Sequence, residues 1–572
     1  ERMKLNKLIY SVLGIFALSS CADNMEYKEY SNYDANYVKR TFGDVGGLVS
    51  NIYQELDTDF GNYSGAVLGS ATDEAEYAYT GNSIEYFYNG SWSPTNAQSS
   101  MWTACYKAIA DCNLYLEEFT GLTFSDYEQI SDYKAEMYRY NNYQYEVRFL
   151  RAYFYFNLVR QYGDVPFTDH VLSTSEVNSL TRTPAQDIFD YIISECDAIK
   201  NDIIPDYTKL GDLMPSGEST ETGRANKRAV LALKARTALY AASPLFNPDN
   251  NKELWYRAAT ASKELIDACD EAKMKLISEY ETLWSATSYN DAIDELIFGK
   301  RASTGTNSFE KYNFPIGLEN CKGGNCPTQT LVDAYEFQAT GLRPDETTGY
   351  DKNQPYYEGR DPRFEKTIAK NGDTKWPNWN ETALETYTSG ANGEPLSGGT
   401  PTSYYLKKYC QAAVNTTSAS ASTSYHTWIT FRLGEFYLNY AEALFKYFDN
   451  PYTKDPEFGV SANDMVNKTR IRVKMPEFPT GMTNANWWKK YKNERMVELA
   501  FEGHRFWDVR RWKEADTYFK SIDEMKITKN SDGSFKYTRN TVSRQWDDKM
   551  YLFPIPQSER GKNPNLVQNP GW

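Results

Sequence analysis

The chain has 572 residues, 41% hydrophobic and 24% charged, enough to bury a large core, so wholesale disorder is excluded. Lys and Arg number 62 against 77 Asp and Glu, a net charge of −15, which excludes a nucleic-acid binder that works through phosphate contacts. Three histidines exclude a histidine-built metal site, while 46 Tyr and 13 Trp beside 28 Phe favour partly wet binding surfaces, because Tyr and Trp join an apolar face to a polar edge.

The first predicted element is an address. Met3 reads as the start, Lys4 and Lys7 form a positive flank, and Leu8 to Leu18 is apolar but too short to span a bilayer. The run ends in Leu18-Ser19-Ser20-Cys21, which resembles the lipobox of bacterial lipoproteins. Residues 1–20 are therefore expected to be a lipoprotein signal peptide, Cys21 the lipidated residue, 21–36 a tether, and 37–572 a single folded body. No internal membrane span is expected.

Helices are predicted near Phe42–Asp57 and Met101–Phe119. Val147, Leu150, Phe154 and Leu158 then mark a helix stopped by Gly163 and Pro166. Pro184–Lys200, Ala225–Ala242 and Glu253–Asp270 follow, the second with small residues that permit close helix approach. Ile429 to Leu444, Ala462–Arg472 and a helix over 493–512 complete the set. In that last helix Glu502 and Arg505 are one turn apart and expected to pair, with Trp507 and Trp512 in the core. The helices come in consecutive pairs, so the expected class is mainly α, a superhelix of helix pairs. Long aromatic-rich stretches at 63–98, 309–329 and 341–424 are expected to pack on it as an irregular, loop-rich region that carries function.

Cys105 and Cys112 are two helical turns apart, about 10 Å, too far to bridge. Cys321-Lys-Gly-Gly-Asn-Cys326 has two glycines that allow a tight loop, and export permits oxidation, so a Cys321–Cys326 disulfide is expected. No dinucleotide, Walker, zincin or nucleophile-elbow motif is present. Asp57-Thr-Asp59-Phe-Gly61 opens like a calcium loop but has Leu68 where the bidentate Glu belongs. No catalytic residue, cofactor or metal is expected.

Four segments carry a resemblance: Phe149-Leu-Arg-Ala-Tyr-Phe-Tyr-Phe-Asn-Leu-Val-Arg-Gln-Tyr-Gly-Asp-Val-Pro166, Arg432-Leu-Gly-Glu-Phe-Tyr-Leu-Asn-Tyr-Ala-Glu442, the 493–512 segment, and the end from Leu552 to Gly571. In this order they resemble the SusD/RagB family along essentially the whole chain. The resemblance implies a TPR-like fold and a lipid-anchored lipoprotein at the outer-membrane surface. It also implies capture of a glycan for a SusC-like TonB-dependent transporter, without hydrolysis. Chain-wide the sequence looks most like the SusD-like proteins of levan (fructan) utilisation systems, so fructan is the ligand expected first. Peptide capture of the RagB kind is the alternative within the family, and a secreted glycoside hydrolase or a ligand-free helical adaptor are the alternatives outside it.

The resemblance also places the site. Asp73-Glu74 resembles the acidic pair ahead of the pocket loop, and Trp92 with Asn96 resembles the stacking Trp and nearby Asn of starch-binding members. Asn320 and Cys321 fall where the second set of pocket residues comes. Trp376, Trp379, Tyr404 and Tyr405 are further aromatic candidates.

Overall fold

The computed structural model describes residues 35–57, 60–98, 100–220, 223–285, 289–301 and 304–572. The signal peptide, Cys21 and nearly all of the tether lie outside the described residues. The helices of eight residues or more are α1 (Phe42–Gln54), α2 (Ser100–Glu118), α3 (Tyr133–Tyr162), α4 (Ala185–Ile199), α5 (Lys227–Ala242), α6 (Lys252–Glu271), α7 (Leu433–Phe448), α8 (Ala462–Arg472), α9 (Asn484–Glu498) and α10 (His504–Arg511). Their starts follow ordinary capping chemistry. Thr41, Asn226 and Asn251 each accept a backbone N–H of the first turn, and Ser461 forms a capping box with Asp464.

From α2 to α8 each helix packs on the next, so the chain winds as a superhelix of antiparallel neighbours. The middle members are enclosed on every side. In α3 every residue from Phe149 to Val159 is buried, and in α5 every residue from Ala229 to Ala242. A single apolar stripe therefore understates both helices, because neighbours cover all their faces.

Small two-stranded antiparallel sheets fasten the irregular region to this scaffold. The strands of three residues or more are β1 (Ala75–Tyr77), β2 (Leu296–Arg301), β3 (Asn325–Pro327), β4 (Thr427–Arg432), β5 (Ser521–Lys529) and β6 (Phe535–Ser543). β1 pairs with β3, β2 with β4 and β5 with β6. Ile429 thus lies in a strand, not at the start of a helix. The run Thr427-Trp-Ile-Thr-Phe-Arg432 is β-branched and aromatic, suits a pleated ladder, and hands over to α7 at Leu433.

The helix expected over 493–512 is two helices. α9 ends at Glu498, Phe501 and Gly503 have φ of +60° and +77°, and α10 restarts at His504. The break separates Glu502 from Arg505, so they do not pair. Glu502 accepts from Arg432 and Lys408, and Arg505 holds Asp73 at 2.8 and 2.7 Å. Trp507 and Trp512 are buried.

Around α9 these charges form a buried clamp between scaffold and irregular region. Arg432 bonds Glu295, Glu498 and Glu502, Arg363 bonds Asp361, Glu494 and Glu498, and Arg470 bonds Glu336 and Glu494. Burial by itself raises a carboxyl pKa, but the arginines outweigh it and hold Glu494 down at about 2 and Glu498 lower still.

Candidate functional site: a tyrosine ledge between two loops

The aromatic residues named from sequence are mostly core. Trp92 is 4% exposed and packs edge-on against Phe87, Phe553 and Trp572. It offers no face to a ligand, because the C-terminal segment closes over it. Asp73 is spent on Arg505, and burial with the Asp73 charge pushes the neighbouring Glu74 carboxyl up to about 8. Trp376, Tyr404 and Tyr405 are buried in a second apolar core together with Cys321 and Cys326. The Tyr405 hydroxyl donates to the Asn392 carbonyl and that of Tyr404 to Gln329. Half-buried Trp379 donates to the Val414 carbonyl. Asn96 is half-buried in its own turn, and exposed Asn320 is bound to the 416–418 loop.

Cys321 and Cys326 are free thiols, not a disulfide. Cys326 lies in β3 opposite Glu76, while the Cys321 sulfur sits 3.1 Å from the Thr416 hydroxyl. Each sulfur is committed to its own surroundings. The glycines between them serve packing instead. A Cβ on Gly324 would collide with the Tyr312 carbonyl and come within 3.3 Å of the Tyr77 ring.

What the two loops do build is a ledge of tyrosines. β1 ends at Tyr77 and the chain bends at Ala78 and Tyr79, which leaves the two tyrosine rings side by side. β1 pairs with β3 in the register Tyr77↔Asn325, which carries the 309–329 loop alongside. The Tyr77 and Tyr79 rings lie 5.9 Å apart, and Tyr312 stands beside them, 36% exposed, with the Lys322 ammonium 4.5 Å over its ring. The Tyr79 hydroxyl donates to the Lys322 carbonyl at 2.6 Å and the Tyr77 hydroxyl to the Ser64 carbonyl at 3.3 Å.

Gly65, at φ +98°, is the hinge of the ledge. A Cβ there would sit 2.6 Å from the Tyr77 hydroxyl and 3.0 Å from the Tyr312 ring. Burial raises the Tyr77 phenol to about 12, with Tyr79 and Tyr312 adding to the shift, and burial raises Tyr79 as well. Both phenols stay protonated and serve as donor and acceptor. The edge is polar, with the half-buried amide of Asn82 and the exposed Lys322.

Asp73 and Trp92 belong to the same 63–98 stretch as Tyr77 and Tyr79 but are buried away from the ledge. The i, i+2 spacing of Tyr77 and Tyr79 is the local signal for the ledge. Nothing local to Tyr312 or Lys322 shows that the β1–β3 pairing brings them there.

A family model described as "Starch-binding associating with outer membrane" matches residues 26–239, and one described as "SusD family" matches 294–572. The chain belongs to the SusD/RagB family, a class of SusD-like proteins that are non-catalytic. It is 22% identical to SusD-like protein P2 of Formosa agariphila, over 100% of both chains. It is similar to a SusD-like protein of Bacteroides fragilis at 25% identity and TM-score 0.73, covering 93% of this chain and 98% of that one. It also shares its fold with a SusD-like carbohydrate binding protein of the same species, at 23% identity and TM-score 0.73, covering 93% and 100% of the two chains.

Proposed function

We propose that the protein captures a glycan on the tyrosine ledge at the outer-membrane surface and delivers it to a SusC-like TonB-dependent transporter, without cleaving it. The observation that carries this reading is the ledge. Half-buried Tyr79 and exposed Tyr312, set against the buried ring of Tyr77, place aromatic surface beside hydroxyls, an amide and an ammonium. Sugar C–H faces stack on such rings while the hydroxyls take the polar edge. The starch-binding description of the N-terminal family model and the carbohydrate-binding relative support a glycan over a peptide. Within glycans, fructan is the first to test, on the resemblance stated from the sequence. Lipidation of Cys21 would tether the body to the membrane.

Titration calorimetry with levan, inulin, starch and laminarin, alongside a reducing-end assay, tests the reading. One glycan class is expected to bind, with no new reducing ends, and Tyr312→Ala is expected to weaken that binding about tenfold, or ~1.4 kcal/mol. Hydrolysis by the pure protein, or full affinity in a folded Tyr312→Ala/Tyr79→Ala variant, would overturn it.

A further inference from the structure

A second site is a solvent-open cleft on the scaffold side of the loop that carries Gly65. A cavity of about 380 Å³ opens between the end of α1, α3, α5, β4 and the start of α10. That volume falls in the range of roughly 300–1,000 Å³ that holds small-molecule ligands. Its walls are polar, and several of their groups lack a partner.

Arg160 of α3 makes no hydrogen bond among the described residues. Its nearest acid, Asp57, is 3.9 Å away, its Nε is buried without an acceptor, and its guanidinium lies 4.5 Å over the Trp507 ring. The neighbouring Gln161 side chain is 4% exposed, and the Tyr240 hydroxyl belongs to a residue 3% exposed. Neither side-chain group has a hydrogen-bond partner among the described residues. The His504 ring stands 3.9 Å from Glu435, beyond hydrogen-bond reach. Burial, together with Arg236, Arg495, Arg432 and Arg160 around it, holds that imidazole neutral, with one donor and one acceptor.

The Arg160 Nε, buried without a partner, is costly to leave so, and the other groups keep access to the cavity, so it is shaped for a polar occupant. The balance of its groups selects the class. Arg236, the other arginine of the wall, is closed by Glu435 at 2.7 and 2.5 Å, and Asp57 stands beside Arg160. Lys300, the remaining cation of the wall, gives its ammonium to the Leu56 carbonyl, and Glu55, Asp57 and Glu502 stand against Arg160, Arg236 and Lys300, so no surplus of cations invites an anion. Donors from Arg160 and acceptors from Asp57, with bifunctional amide, phenol and imidazole groups between them, match the alternating hydroxyls of a neutral sugar.

We propose that this cavity is a second site for a neutral mono- or disaccharide, independent of the ledge. The site stands whether or not the ledge binds glycan, since it shares no residue with it.

The test is a crystal soak and a titration of the intact folded body with glucose, fructose, galactose, sucrose and maltose. Saturable binding of at least one of them is expected, with sugar density in the cavity. That binding is expected to persist in Tyr312→Ala and to fall at least about fivefold in Arg160→Met and in Tyr240→Phe, the loss of one hydrogen bond. Tyr240→Phe removes a single hydroxyl, so it decides the matter if Arg160→Met fails to fold. Only water in the cavity, or binding left unchanged by Tyr240→Phe and Arg160→Met, overturns the proposal.

Discussion

The clamp around α9 and the tyrosine ledge are both made of polar side chains that meet from distant parts of the chain, yet they are built oppositely. In the clamp every charge is buried and answered: Glu498 alone takes Arg363, Arg432 and Arg472. On the ledge the hydroxyls of Tyr77 and Tyr79 bond only to backbone carbonyls, and the Tyr312 ring faces solvent. Groups whose hydrogen bonds are all made inside the protein stabilise the fold and have nothing to offer a ligand. Groups held in place by one bond, with a face left over, can bind. This is why Asp73, a few residues from Tyr77 and Tyr79, belongs with the clamp, while Trp92 in the same loop belongs with the core because Phe87, Phe553 and Trp572 cover its ring.

The sharpest way to break the comparison is at Glu498. Glu498→Ala leaves three arginines facing a void and is expected to cost about 3–5 kcal/mol, because it strands buried charge. Urea denaturation reads it, and a loss under ~1 kcal/mol would place the clamp among weak surface pairs. Trp92→Ala is expected to cost about 3–5 kcal/mol through the cavity it opens beneath Phe553 and Trp572. Glycan affinity should hold in the folded fraction, and a selective loss of affinity with unchanged melting would return Trp92 to the binding surface.

Acid and alkali separate the two kinds of buried carboxyl. Glu494 and Glu442 are held near 2 against an ordinary 4.5, burial opposing and arginines prevailing, so their stabilisation is complete above about 4.5 and is lost as pH falls toward 2. Glu74 is shifted the other way, to about 8, by burial and Asp73, so the folded state holds its proton and loses stability as pH rises from about 4.5 toward 8. Thermal melts across pH should therefore decline on both sides. Glu74→Gln should flatten the alkaline limb alone, and an unchanged limb would show that Glu74 is ionised in the fold.

The smallest stability change is expected at the ledge. Tyr312→Ala should shift stability within about 0.5 kcal/mol while weakening glycan binding, since its ring supports little core. A large drop in melting temperature would reclassify Tyr312 as a packing residue.

By itself the sequence determined the helical scaffold and the family. Periodicity and stop signals are local, so Ala462–Arg472 was legible to the residue and the ends of Ala185–Ile199 to within one. The motif over 493–512 was legible as a motif but not as two helices, since the left-handed turn at Phe501 and Gly503 is imposed by what each half must reach. Glu502 goes to Arg432, and Arg505 goes to Asp73, 432 positions away. The same limit governs the site. A tyrosine and a tryptophan read alike as aromatic; whether the ring ends under Trp572 or in the open beside Lys322 depends on which surfaces the rest of the chain covers. Only the β1–β3 pairing and the closing C-terminal segment decide that, because burial is a property of the whole fold and not of any residue's neighbours in sequence.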